Sequence, residues 1–221
     1  MSIFNKPSAP GAFRVLEVER DLDAVKERIV SFLATTSPAM MWSPKYAEAI
    51  GWKKFVILKG DHHLRGLASH KGGRIELRIN ESTRWMNNTS DDSTLAGKED
   101  LTPTGVLAHE IGHQFMWAME RHGGDELMGE FYALKAKTSI SGYGKTNGIE
   151  DFAETYRLWL LNPPLLRRLD PRRFDLLVRM DDHFANRTGF KHSTPRPLSN
   201  PQFALNRIRT MLSWGEGFQQ T

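Results

Sequence analysis

The chain contains no cysteine. Disulfides and thiolate metal sites are therefore excluded, and any metal must be held by His, Asp or Glu. No apolar run approaches membrane-spanning length. The opening stretch, MSIFNKPSAPGAFRVLEVER, has no basic segment followed by an apolar core of signal-peptide length. These absences predict a protein without membrane association, cytoplasmic or delivered or packaged by a non-classical route. A strong charge of one sign is also missing. Lys and Arg number 30 against 26 Asp and Glu, a formal net charge of +4, and the signs are interleaved. No internal repeat is present.

What remains is a chain of 221 residues with 39% hydrophobic content, enough for one sizeable core and short for two. Residues 1–12 are rich in Ser, Pro and Gly and read as a loose arm, so a single domain is expected over 13–221. Helical spacing appears over 21–33, and short β-rich runs at 54–58 and at Arg74 to Ile79 suggest a small sheet. The polar stretch 80–101 reads as a long loop. After it, Thr102 fits an N-cap and Pro103 a first helical position, and Val106, Leu107, Ile111, Phe115 and Met119 recur at helical spacing up to Gly123 and Gly124. Further helices are expected over 125–137, 149–161, 170–184 and 202–212, with a Gly-containing loop at 139–148 and a Pro-rich link, HSTPRPLSNP.

The chemistry lies in His109-Glu110-Ile111-Gly112-His113, an H-E-x-x-H sequence inside a predicted helix. Residues four apart share a helix face, so both imidazoles can grip one ion. Neutral imidazoles suit zinc, and three protein ligands leave a fourth position for water, whose pKa the metal lowers. Glu110 is placed to take a proton from that water and pass it to a leaving amine. The metzincin spacing fails, because positions 116 and 119 are both Met. A third ligand is then expected from a carboxylate on a later helix. Glu150 and Glu154 lie one turn apart near a helix start, where one can bind metal and the other orient a ligand histidine. The plainer reading of that pair is a solvated acidic face.

HEIGH followed by YGKTNGIEDFAETYRLW resembles the catalytic domain of anthrax lethal factor and its relatives, which include the Pro-Pro endopeptidases and phage-encoded domains. The resemblance spans about Leu107 to Trp159. It implies an α+β fold of the gluzincin type, a small mixed sheet over a helical half, and a zinc metallopeptidase acting on a protein or peptide substrate. It implies that Glu150 is the third ligand after His109 and His113, that Tyr143 hydrogen-bonds the attacking water or the oxyanion, and that Glu154 contacts a ligand His. A phenol is a neutral donor at neutral pH, which suits that role. The toxin's accessory domains have no counterpart here.

Other residues read more plainly. His62, His63, His70, His122, His183 and His192 lack ligand spacing with a carboxylate and are expected to be structural or exposed. Arg74 to Ile79 is either the edge strand to which a substrate backbone adds or an ordinary sheet strand. The basic stretch 165–174 is followed by Asp181 and Asp182 and carries no nucleic-acid motif, so a solvated helix face is expected and no nucleic-acid partner. Trp117 and Trp159 read as core. Two alternatives stand beside the peptidase: a catalytically idle, zinc-stabilised module such as a phage particle component, and a toxin-like effector with a narrow target. Glu110 and Tyr143 argue against idleness, since a structural site needs neither.

Overall fold

A computed structural model describes residues 15–18, 23–60, 66–79, 101–135 and 139–190. The N-terminal arm, the Pro-rich link, the helix expected over 202–212, His62, His63, His192 and most of the 80–101 loop lie outside these residues. The order is β1 (Val15–Val18), α1 (Asp23–Thr36), a 3-10 turn (Ala39–Trp42), α2 (Pro44–Ala49), β2 (Lys54–Lys59), β3 (Gly66–Ser69), β4 (Arg74–Ile79), α3 (Pro103–Arg121) and α4 (Asp125–Lys135). A second 3-10 turn (Tyr143–Lys145) precedes α5 (Gly148–Leu161), α6 (Pro163–Leu169) and α7 (Pro171–Thr188). The fold is mixed α and β, mostly helical with a small sheet. Among the described residues, no helix is long and apolar enough to cross a membrane.

The helices begin where the sequence supplies an oxygen for orphan amides. Thr102 Oγ1 accepts from Gly105 N at 3.0 Å, Asn147 from Glu150 N at 2.9 Å, Asn162 from Leu165 N at 3.1 Å and Asp170 from Arg173 N at 3.2 Å. Each such cap contributes about 0.5–2 kcal/mol. Asn162-Pro163-Pro164 does end α5, as expected, but the same residues start α6, with Asn162 as cap and proline in its first turn.

The sheet runs β1-β2-β4-β3, with β1 and β4 parallel to β2 and β3 antiparallel to β4. It is a mixed sheet. Ile75, Leu77 and Ile79 are buried in the core, while Glu76 on the opposite side is flanked by Arg74 at 2.8 Å and Arg78 at 2.9 Å. Arg74–Ile79 is therefore not an edge strand, because β2 and β3 pair with it on its two sides. Among the described residues, the edge beyond it is β3. Its four residues, Gly-Leu-Ala-Ser, are too few and too small to give the alternating signal that marked β4.

Helix α3 is enclosed on most of its circumference: every residue from Pro103 to Met116 is buried. Its apolar stripe meets the aromatic core, with Phe115 stacked on Tyr156 at 4.6 Å and Phe152 against Phe131 at 4.9 Å. Burial of each such ring stabilises by roughly 1.5–3 kcal/mol. Its other face carries His109, Glu110, His113 and Gln114, also buried, and a buried polar group without a partner costs about 1–3 kcal/mol. Where those four find partners defines the site.

Candidate metal centre

Two helices and a strand build the site. Helix α3 packs on α5 at Gly112, where an added Cβ would come within 2.9 Å of the Ala153 Cα and 3.2 Å of the Tyr156 Cβ. That closeness brings His109 and His113 against the first two turns of α5. His109 Nε2 lies 3.0 Å from Glu150 Oε2, and His113 Nε2 lies 3.1 Å from His109 Nε2 and 3.4 Å from Glu150 Oε2. The three ligand atoms lie within 4.8 Å of one another, a group that could hold a metal ion. Bonds of about 2.0–2.1 Å in a tetrahedron place neighbouring ligand atoms roughly 3.3 Å apart, so this spacing fits a zinc-sized ion.

The outer ring nitrogens differ. His109 Nδ1 meets Glu154 Oε1 at 2.9 Å, and the Glu154 carboxylate accepts from Arg157 Nε at 3.0 Å and Nη2 at 2.9 Å. Burial alone would raise the Glu154 pKa, but Arg157 and His109 outweigh it and hold the carboxylate ionised well below the usual range. A fixed anion at Nδ1 selects the tautomer whose Nε2 lone pair faces the ligand cluster. His113 Nδ1 has no such partner. Its ring instead stacks on Trp117 at 6.0 Å, and Trp117 also meets His70 at 5.1 Å. Trp117 is thus half-buried beside the site rather than deep core, whereas Trp159 is buried against Phe174.

Glu110 points to the sheet. Its carboxylate accepts from the Ala68 backbone N–H of β3, and burial pushes its pKa up, partly countered by the positive potential of His109 and His113. Gly66 is what makes room: an added Cβ would strike Glu110 Oε1 and come within 2.7 Å of Val106 Cγ1. Gln114 Nε2 donates to Ser69 O at 3.2 Å, so two side chains of α3 grip the same short strand.

Tyr143 approaches His109 from the segment before α5. It sits in the 3-10 turn before α5, its ring 5.6 Å from that of His109, 42% exposed. Gly144 N donates to Ser141 Oγ at 3.0 Å and Thr146 N to Tyr143 O at 3.0 Å, which closes the turn. The arrangement brings together His109, His113, Glu150, Glu154, Glu110 and Tyr143. Among the described residues it leaves out the other histidines, His70, His122 and His183: His183 Nε2 is 3.0 Å from His122 O, and His70 is exposed.

Sequence reasoning did not find β3, Arg157 or Gly66. Arg157 stands three residues after Glu154 and its spacing was a readable signal. Gly66 and β3 are more than forty residues from Glu110 and nothing local marks them. Compared with family models, with curated proteins and with solved structures, the chain matches none of them.

Proposed function

We propose that the chain is a zinc-dependent endopeptidase of the gluzincin type, and the observation carrying this is the convergence of His109, His113 and Glu150 with Glu110 and Tyr143 beside them. The likeness of HEIGH and YGKTNGIEDFAE to the lethal factor catalytic domain supports the same reading. A bound zinc would supply a Lewis acid that polarises the scissile carbonyl and lets water attack near neutral pH. Glu110 takes the proton of the attacking water and returns it to the departing amine. Its burial makes it a stronger base than an exposed carboxylate. Tyr143 donates its phenolic proton in a hydrogen bond to the developing oxyanion, a role that draws on a group neutral at pH 7. Glu154 holds His109 in register and stays ionised through its pair with Arg157.

The substrate is a protein or peptide. An extended segment adding to the outer edge of β3 runs past Glu110, with its backbone recognised by strand pairing and its side chains read alternately. Leu67 on β3, 42% exposed, and Ile149 beside Glu150, 46% exposed, offer apolar contacts on either side.

Digestion of a diverse peptide library, with every cut read by mass spectrometry, tests the proposal. Metal-loaded protein is expected to cut at a restricted set of sequences, with cutting lost on chelation and restored by zinc. A library left intact by metal-loaded protein would turn the reading toward the idle, zinc-stabilised module.

A further inference from the structure

Directly after Glu150 comes Asp151, which is fully buried and takes no part in the metal cluster. Its Oδ1 accepts from the Ile140 backbone N–H at 3.1 Å and from Arg173 Nη1 at 3.0 Å, and its Oδ2 lies 2.7 Å from Arg173 Nη2. Arg173 is equally buried. Its Nη1 reaches Thr155 Oγ1 at 3.2 Å, its Nε lies 3.3 Å from Asp170 Oδ2, and its guanidinium stands 5.1 Å over the Phe131 ring. A single ion pair therefore ties the start of α7 to the first turn of α5 and to the strand of chain that leads into Tyr143.

The Tyr143 segment rests on this pair directly. A Cβ on Gly144 would come within 2.7 Å of Asp151 Oδ1 and 3.1 Å of its Cα, so the backbone next to Tyr143 is seated against Asp151 with no room to spare. Being 42% exposed, Tyr143 takes its place more from that backbone than from enclosure of its side chain. Buried ion pairs rarely stabilise more than apolar residues of the same volume would, because desolvation offsets their attraction. What such a pair does supply is fixed geometry, and here it fixes the segment bearing Tyr143 to the helix bearing Glu150.

We propose that Asp151 and Arg173 form a positioning pair that sets the Tyr143 phenol against the metal centre. The proposal rests on the peptidase reading for its consequence in catalysis, and on the geometry alone for its consequence in order.

Two variants test it. Asp151→Asn keeps an acceptor for Ile140 but loses the ion pair; if it does not fold, Asp151→Leu combined with Arg173→Met removes both charges together and leaves an apolar contact. Each is measured, zinc-loaded, for metal content, for hydrogen exchange of residues 139–147 and of α3, and for kcat and KM, alone and with Tyr143→Phe. The expected result is one zinc retained, α3 exchange unchanged and exchange over 139–147 faster by about tenfold or more. The kcat falls by roughly tenfold to a hundredfold, the scale of a misplaced group, at nearly constant KM. Adding the substitution to Tyr143→Phe costs nothing further, because residues acting as a unit are not additive. Unchanged exchange over 139–147, or an equal loss of kcat in both backgrounds, overturns the proposal. A wild type that cleaves nothing sinks the peptidase reading alone, since the exchange measurement still decides whether the pair holds the segment.

Discussion

His109 stands between the two glutamates of α5, with Glu150 at the nitrogen that would otherwise face a metal. In protein without metal, burial pulls its pKa down, but the hydrogen bonds it donates to Glu150 and Glu154 outweigh this and raise it to about 9. The stripped protein therefore carries an imidazolium at neutral pH, standing in for the cation. A folded pKa raised above the unfolded value of 6.5 gives stability that is present in full below pH 6.5 and lost as pH rises through about 9. The stability of chelated protein against denaturant is expected to fall over that window, by up to roughly 3 kcal/mol at the scale of 1.36 kcal/mol per pKa unit. His109→Gln should flatten the profile. A pH-independent midpoint for the chelated wild type from 6.5 to 9 would show that His109 carries no such proton. At this scale the sequence was most legible where partners are close in the chain. His109 and His113 share a helix face by spacing alone, and Glu150 and Glu154 repeat the same interval on α5. Asp151 with Arg173 was not readable, because 22 residues and a helix boundary separate them and neither stands in a pattern that names the other.

Helices α3 and α5 meet at a glycine, and the candidate metal site depends on how closely they approach. Gly112→Ala would gain about 0.5–1 kcal/mol of helix propensity. The new methyl, however, meets the Ala153 Cα at 2.9 Å and its carbonyl oxygen at 3.1 Å, both backbone atoms that cannot swing aside. Overpacking of this kind costs typically 1–3 kcal/mol, so the net effect is destabilising. Because the helices separately carry His109 with His113 and Glu150 with Glu154, zinc affinity should fall by about tenfold or more, the scale of a disturbed supporting contact. Titration against a competing chelator, beside a thermal melt, checks both; unchanged affinity with a raised melting temperature would mean that the helices are not held apart by the methyl. Caps and periodicity made α3, α4, α5 and α7 legible, since each starts or stops at residues whose side chains or backbone freedom act locally. The apolar alternation of Ile75, Leu77 and Ile79 told which face of β4 is buried but not what lies beside it, and so the edge had to be found in β3.

Across the whole molecule, α3 meets β3 through Glu110 and Gln114 and α5 through Gly112 and His109, so that three stretches far apart in sequence contribute to one cluster. The expectation of a small sheet with a helical second half follows from periodicity, while that of a mixed sheet came with the resemblance, and the architecture is mixed α and β, mostly helical with a small mixed sheet. The order of the strands and the docking of Glu110 on β3 depend on contacts over long separations, which local patterns do not encode. The single substitution that separates metal binding from chemistry is Glu110→Ala, compared with wild type for zinc content and for the rate on a peptide that the wild type cleaves. A zinc peptidase using Glu110 as its base predicts one zinc per chain in both proteins and a rate lower by about a thousandfold or more in the variant. A variant that keeps its zinc and cleaves at the wild-type rate would contradict it.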